Sequence, residues 1–140
     1  MVKFLLDSNV VSELRKSRPH GAVLTWIDAT PAEAIGIPAI VLGELQGGAE
    51  VTRKQDPAKA AELDRWIDRI ARLWEVVDVD GAIAREWAKL VGRRNRSLFE
   101  DALIAATARI YSLTVVTRNT RDFEKFGVAV LDPFSSNRGK

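Results

Sequence analysis

The 140-residue chain contains no cysteine and a single histidine, His20. Without thiols it cannot form disulfides, thiolate metal sites or a cysteine nucleophile. One histidine also excludes a zinc site built from several imidazoles and disfavours a histidine general base. His20 stands between Pro19 and Gly21, and we expect it to be a surface loop residue. A metal site in this chain would therefore rely on oxygen ligands.

Long apolar runs are absent too, so no segment is expected to cross a membrane. The first acid, Asp7, comes too early for a signal peptide, and we expect a cytoplasmic protein. The net charge of +2 permits a polyanionic partner without requiring one. The chain length predicts one domain over residues 1–134, followed by a flexible tail at 135–140.

Short apolar runs alternate with helical patterns along the whole chain. This alternation predicts an α/β fold, in which parallel strands are joined by right-handed crossovers and flanked by helices in three layers. The five predicted strands lie at residues 4–6, 34–37, 76–79, 114–117 and 128–131.

Several helix boundaries carry sequence signals. Asp56 and Asp80 each precede a helical pattern and are predicted N-caps. Residues 97–100 fit the S-x-x-E capping box, which places the start of the following helix. Gly47 and Gly48 are expected to end the helix that begins near residue 39.

Asp101 is the most informative residue, because it lies near the start of a helix that is otherwise almost entirely apolar. Helical spacing puts it on one stripe with Ile104 and Ala108, so its side chain should point inward. Burying an unpaired carboxylate costs several kcal/mol, so such a group neutralises, pairs or binds a cation. Asp7 and Glu44 present the same problem, and three inward acids without a matching base suggest a metal site.

The topology can bring these acids together. In an open parallel sheet, ligands bind beyond the carboxyl ends of the strands. Asp7 ends the first predicted strand, Asn119 and Asp122 follow the fourth, and Glu44 and Asp101 lie on helices that can face the same rim.

Each acid also has a simpler explanation when it is taken alone. Asp7 could cap the helix that follows the first strand, and Glu44 could pair with an arginine. Turn chemistry accounts for Asn119 and Asp122. Asp101 favours a functional role by itself, and the combination of all these residues at one rim strengthens the functional interpretation.

Four motifs of the chain span residues 5–13, 43–45, 100–108 and 116–123. Together they resemble PIN-domain ribonucleases, in particular VapC-like and FitB-like toxins of type II toxin–antitoxin pairs. The resemblance covers essentially the whole chain. It implies a PIN-like five-stranded parallel sheet and hydrolysis of RNA phosphodiester bonds, in which carboxylate-bound Mg²⁺ or Mn²⁺ activates water.

The resemblance also implies roles for individual residues. Asp7, Glu44 and Asp101 fall on the catalytic, metal-binding acids. Asn119 falls where many relatives carry a fourth acid; as a metal ligand it would offer an amide oxygen, and Asp122 is a candidate for the missing catalytic carboxylate. One or two bound ions therefore both remain open.

Further residues fall around this predicted centre. Ser8, Asn9 and Thr117 occupy polar positions that would orient ligands or water. Positive charge should flank an acidic centre that cleaves RNA, because the substrate is a polyanion. The candidate RNA-binding arginines are Arg93, Arg94, Arg96, Arg118 and Arg121.

The resemblance implies three partners: an RNA substrate, a cognate antitoxin and a second copy in a homodimer or larger assembly. The helix that carries Trp66 and Trp74 has a wide apolar face, which suits core packing or such an interface. A non-catalytic PIN-fold module that binds RNA or a partner remains the alternative function. Two-component receivers and aspartyl phosphatases are disfavoured, because Ser8 and Asn9 stand where those proteins need acids.

Overall fold

The computed structural model describes residues 1–92 and 99–135, and it contains a five-stranded sheet flanked by helices. All strand pairs are parallel, and the spatial order is β3-β2-β1-β4-β5. The predicted fold class is therefore confirmed. The strands are β1 (Phe4–Leu6), β2 (Ile35–Pro38), β3 (Glu75–Val77), β4 (Thr114–Val116) and β5 (Ala129–Leu131).

Helices connect the strands and cover the sheet. In the described ranges, no helix is long and apolar enough to cross a membrane. A short 3-10 helix, Ala32–Ala34, precedes β2. The α-helices are α1 (Ser8–Glu13), α2 (Gly21–Ala29), α3 (Ala39–Arg53), α4 (Pro57–Leu73), α5 (Gly81–Val91), α6 (Phe99–Tyr111) and α7 (Thr120–Glu124).

Two of the predicted caps are confirmed. The carboxylate of Asp56 accepts a hydrogen bond from the backbone N–H of Lys59 at 3.1 Å, and that of Asp80 accepts from Ile83 at 2.8 Å. These bonds satisfy N–H groups that have no partner within the first turn of α4 and α5. The predicted capping box includes Ser97, which lies outside the described residues, as does the predicted tail from residue 136 onward.

Three sequence predictions differ from the structure. Gly47 and Gly48 do not end α3, which continues to Arg53 because neither glycine adopts a positive φ. The third strand stops at Val77, two residues earlier than predicted. The segment after β4 was expected to be a turn, but residues 120–124 form α7, with Asp122 in its first turn.

The two central strands and helix α6 form the centre of the core. Leu5 and Leu6 of β1 and Val115 and Val116 of β4 are fully buried, as expected for strands covered on both faces. Residues 102–108 of α6 are all buried, and alanines make up four of these seven positions. Small side chains let α6 lie close to its neighbours, and this holds its first turn near the carboxyl end of the sheet.

Gly36 occupies a position in β2 with no room for a side chain. A Cβ atom there would lie 2.8 Å from Cγ1 of Val2 and 2.9 Å from Cγ2 of Val77. Gly47, in the interior of α3, has open space where its Cβ would be.

We therefore expect opposite effects from two glycine-to-alanine substitutions. Gly36→Ala should lower the free energy of unfolding by about 1–3 kcal/mol through overpacking. Gly47→Ala should raise it by about 0.5–1 kcal/mol, because alanine favours the helical conformation. Urea unfolding followed by circular dichroism measures both. Equal stability of the two variants would contradict the packing described for β2.

Candidate active site

The candidate site lies at the ends of β1 and β4, from which the chain continues toward opposite edges of the sheet. Strands β1 and β4 are neighbours in the centre, with β2 and β3 on one side and β5 on the other. The loops after β1 and β4 therefore diverge and leave a crevice at the carboxyl ends of these strands. Asp7 directly follows β1, and Thr117 directly follows β4.

Asp7 is only 5% exposed, and its carboxylate accepts hydrogen bonds from three donors. The hydroxyl of Thr117 donates to Oδ2 of Asp7 at 2.8 Å, and the amide of Asn9 donates to the same oxygen at 3.2 Å. Oδ1 accepts from the backbone N–H of Ser8 at 2.8 Å, so Asp7 also caps α1, as one sequence interpretation proposed. Burial raises the pKa of Asp7, although the bonds from Thr117 and Ser8 oppose this shift.

Glu44 reaches the same region from α3. Burial raises the pKa of Glu44 to about 7, with further contributions from the carboxyl group of Glu100, which lies within hydrogen-bonding reach, and from the charge of Asp7. A bond from Ser8 acts in the opposite direction. Glu44 therefore exchanges a proton near neutral pH.

Asp101, in the first turn of α6, completes the group of acids. Burial raises the pKa of Asp101 to about 6, and the negative charges of Asp7, Asp122 and Glu100 add to this shift. The structure thus brings Asp7, Asp101 and Asp122 into electrostatic contact, as the sequence predicted. Burial is the main cause of these raised pKa values, and mutual repulsion of the acids adds to it.

The other predicted polar residues occupy different positions around these acids. Asn9 links both loops, because its amide also lies 3.4 Å from Oγ1 of Thr117 and its Oδ1 accepts from the backbone N–H of Arg118 at 3.2 Å. Asn119 is exposed, and its backbone N–H donates to Oγ1 of Thr117 at 2.9 Å. Asn119 and Asp122 line a cavity of about 300 Å³ together with Arg118, Thr120 and Arg121.

Of the five candidate RNA-binding arginines, only two can be placed. Arg118 and Arg121 are exposed on the loop after β4 and on α7, beside the acids. Arg93, Arg94 and Arg96 lie outside the described residues.

As the side chains stand, no three His, Cys, Asp or Glu residues within 1–92 and 99–135 form a group compact enough to hold one metal ion. The carboxylates are close enough to influence one another's pKa, but they are not arranged as a closed coordination shell. The predicted metal ligands therefore remain a prediction. Their chemistry fits a hard cation, because carboxylate and amide oxygens are the ligands that Mg²⁺ and Mn²⁺ prefer.

Sequence reasoning missed two features of the site. Glu100 was assigned to a capping box, whereas its carboxyl group interacts with Glu44 and adds to the negative potential at Asp7 and Asp101. A groove of about 430 Å³ runs past Glu44 between α1, α3 and α4, and the exposed cations Arg15 and Lys16 line it. The basic run at residues 15–18 was the available signal for these cations.

Comparisons with known proteins agree with this geometry. A family model described as the PIN domain matches residues 4–129. The chain is 33% identical to Toxin FitB of Neisseria gonorrhoeae over 137 residues, covering 93% of this chain and 97% of that protein. It is 32% identical to VapC ribonuclease Y4jK of Sinorhizobium fredii over 145 residues, covering 93% and 96% of the two chains.

Among solved structures, the crystal structure of FitAcB from Neisseria gonorrhoeae superposes with a TM-score of 0.80 at 31% identity. That alignment covers 94% of this chain and 98% of the other.

The raised pKa of Glu44 predicts how stability depends on pH in the presence of a chelator. Between about pH 4.5, the ordinary value, and pH 7, the folded protein keeps a proton that the unfolded chain has lost. Raising the pH through this window therefore lowers the free energy of unfolding. Glu44→Gln removes this titration and should have a higher Tm than the wild type at pH 8, with a smaller difference at pH 5. Thermal unfolding at several pH values measures this.

Glu33→Gln is the matched control, because Glu33 is exposed in the short 3-10 helix. It should follow the wild-type profile. If Glu44→Gln and the wild type lost stability equally between pH 5 and pH 8, the described environment of Glu44 would be wrong.

Proposed function

The chain belongs to the PIN-domain family, and on that premise we propose that it is an endoribonuclease toxin that hydrolyses RNA phosphodiester bonds with Mg²⁺ or Mn²⁺ as cofactor. The observation that carries the proposal is the convergence of Asp7, Glu44 and Asp101 at the crevice between β1 and β4. Relatives that match over nearly the full length are named a toxin and a ribonuclease, which supports the same assignment.

The acids are suited to holding a divalent cation. Asp7, Glu44 and Asp101 would hold it through carboxylate oxygens, together with the Asn119 amide oxygen or the Asp122 carboxylate. A cation there would offset the two effects that raise the pKa values of Asp101 and Glu44, which are first burial and then repulsion between the acids. The carboxylates have to approach one another to form a complete ligand set, because they do not form one as they stand in the described chain.

The reaction needs no protein nucleophile. When bound, the cation would make a coordinated water more acidic and would balance charge at the phosphate. Thr117 and Asn9 keep Asp7 in one orientation through bonds to Oδ2. The pKa of Glu44 is raised to about 7 and that of Asp101 to about 6, and a bound cation would favour the deprotonated form of both, so activity should rise with pH across about pH 6–7.

The RNA strand would approach the acids across positively charged surroundings. Arg118 and Arg121 lie on one side of the crevice, and Arg15 and Lys16 lie along the groove that passes Glu44. Contacts of this kind bind the phosphate backbone and carry no sequence preference of their own.

The partners in the proposal are an RNA substrate inside the cell, a cognate antitoxin and a second copy of the chain. The name of the toxin relative supports the antitoxin assignment. Part of the apolar face of α4 packs into the core, because Ile67 and Ile70 are buried. Trp74 is also buried, but it follows the last residue of α4 and does not lie on the helix as predicted. Trp66 is half-buried beside an apolar groove of about 480 Å³, which leaves room for a partner.

We predict that Asp101→Asn and Asp7→Asn each abolish cleavage of a mixed RNA pool without unfolding the protein. Either change removes a negative oxygen from the centre, so the cation and the attacking water lose their position. The measurement is gel analysis of RNA incubated with Mg²⁺, with Mn²⁺ or with chelator, beside a circular dichroism spectrum of each variant. Glu33→Gln, which lies away from the acids, should cleave like the wild type.

Two results would contradict the proposal. Equal cleavage by the wild type and both variants would point to a contaminating nuclease. Full activity in chelator would remove the requirement for a cation.

Cation binding should also be measurable without cleavage. In a low-salt buffer at pH 7.5, saturating Mn²⁺ should raise the Tm of the wild type, because a ligand that binds only the folded state stabilises it; at one hundred times Kd the gain is about 2.7 kcal/mol. Glu44→Gln and Asp101→Asn should show a much smaller rise. An equal rise in all three proteins would show that Mn²⁺ binds elsewhere.

A non-catalytic PIN-fold module that binds RNA or a partner is the second candidate. The amide at Asn119 and the open arrangement of the described acids favour it. This candidate predicts RNA binding with no Mn²⁺-dependent rise in Tm and no cleavage, so the two experiments above separate it from the ribonuclease.

A further inference from the structure

Phe134 lies three residues beyond β5, at a position that no motif in the sequence assigns. Its backbone N–H donates to Oδ1 of Asp132 at 2.9 Å, which closes a turn around the buried Pro133. Its location is therefore set by strand β5 and the turn. The phenyl ring is half-buried and faces the loop that follows β4.

Two side chains pack on this ring. The guanidinium carbon of Arg118 lies 3.7 Å from the ring centroid, the distance of a close cation–π stack. The imidazole of His20 meets the ring edge to face at 5.4 Å. His20 is held by two hydrogen bonds. Its Nδ1 accepts from the backbone N–H of Ala22 at 3.2 Å, and its backbone N–H donates to Oε2 of Glu13 at 2.9 Å.

The backbone of Arg118 is part of the catalytic crevice. Its N–H donates to Oδ1 of Asn9, whose amide reaches Asp7, and the preceding residue Thr117 donates directly to Asp7. Arg118 therefore starts beside the acids, while its side chain extends to Phe134 on the rim. Without the ring, this long exposed side chain would be free to sample many rotamers.

The acid near Arg118 is Glu13, which pairs mainly with another cation. Arg118 contributes to the lowered pKa of the buried Glu13, but the main cause is Lys16, whose Nζ lies 2.9 Å from Oε1 of Glu13. The other oxygen of Glu13 accepts from His20. Phe134 lies against the guanidinium carbon, and within residues 1–92 and 99–135 no hydrogen bond from the guanidinium of Arg118 is found. The N–H groups of a guanidinium suit a phosphate anion.

We propose that Phe134 is a positioning residue, which holds the guanidinium of Arg118 at the rim of the crevice so that it binds a backbone phosphate of the RNA strand beside the cleaved bond. The inference rests on the proposed ribonuclease function and adds a substrate contact to it. Phe134 does not touch the reacting atoms; it acts through Arg118.

The test is a double-mutant cycle on RNA binding in the Asp101→Asn protein, which binds but does not cleave. The probe is a short, fluorescein-labelled, single-stranded RNA of mixed sequence, titrated at several salt concentrations. Phe134→Leu and Arg118→Ala should each raise Kd by roughly 3–10-fold, in line with the loss of one phosphate contact. The double variant should bind no more weakly than Arg118→Ala.

The salt dependence separates a phosphate contact from a purely structural role. Losing one contact to a single strand should reduce the slope of log Kd against log salt by about 0.7 in both single variants. Phe134→Tyr keeps the ring and should restore Kd and slope. In the cleaving protein, Phe134→Leu should raise KM and leave kcat within about twofold, because the acids are untouched.

Tyr111→Leu is the matched control, since Tyr111 is an exposed aromatic residue at the opposite end of α6 from Asp101. It should leave Kd and slope unchanged, and thermal unfolding verifies that every variant is folded. The contrary result is a Phe134→Leu variant that has a lower Tm but keeps the Kd and salt slope of the Asp101→Asn protein. That result would show that the ring stabilises the fold and does not position Arg118. Additive losses in the double variant would show that Phe134 does not act through Arg118.

One further outcome concerns the proposed function rather than the positioning role. If the parent Asp101→Asn protein binds no RNA and the wild type cleaves none, the ribonuclease proposal fails and this inference fails with it. Cleavage by the wild type combined with an unaffected Phe134→Leu variant overturns the positioning role alone.

Discussion

The position of the Asp7 carboxylate links the pairing of the central strands to the chemistry of the site. The backbone N–H of Asp7 donates to the carbonyl oxygen of Val116 at 3.0 Å, and this bond extends the pairing of β1 and β4 by one residue. Its carboxylate accepts from Thr117 and Ser8. Because a buried carboxylate retains its charge only when such donors surround it, the ends of the two strands and the acid depend on one another.

The remaining acids are brought to Asp7 by separate helices, and this explains how the fold tolerates their repulsion. Glu44 lies on α3, whereas Glu100 and Asp101 lie on α6, and both helices pack on the core through other residues, such as Val41 and Ile104. The packing of these helices offsets the electrostatic cost of the acidic ends. Acids gathered in this way lower the stability of the folded protein, as expected where function and stability conflict.

The sequence predicted the parts of the structure that depend on local patterns. Strand alternation predicted the sheet, and the Asp56 and Asp80 caps predicted two helix starts. It failed at Gly47, because a glycine in a helix ends it only when the backbone adopts a positive φ, and tertiary packing decides that. It failed at residues 120–124 because so short a helix gives little periodic signal.

Within the site, the sequence identified acids that an apolar context made conspicuous. Asp101 was conspicuous on an apolar stripe. Glu100 beside it fitted a capping motif, so no role in the site was predicted for it. Only the three-dimensional proximity of Glu100 to Glu44 shows that it belongs to the centre. Phe134 gave no such signal, because its role depends on a contact with Arg118, which lies on another loop.

The acidic centre and its positively charged rim are built in different ways, and this has a consequence for how the site can change. The acids lie on elements that pack in the core, and Asp7 directly follows β1 and bonds to Val116 of β4 through its backbone N–H. The Arg118 side chain is fixed by a local stack on Phe134 at the end of the chain, and Lys16 by an ion pair with Glu13. Side chains held in this local way can be replaced with little effect on the core, whereas the acids cannot.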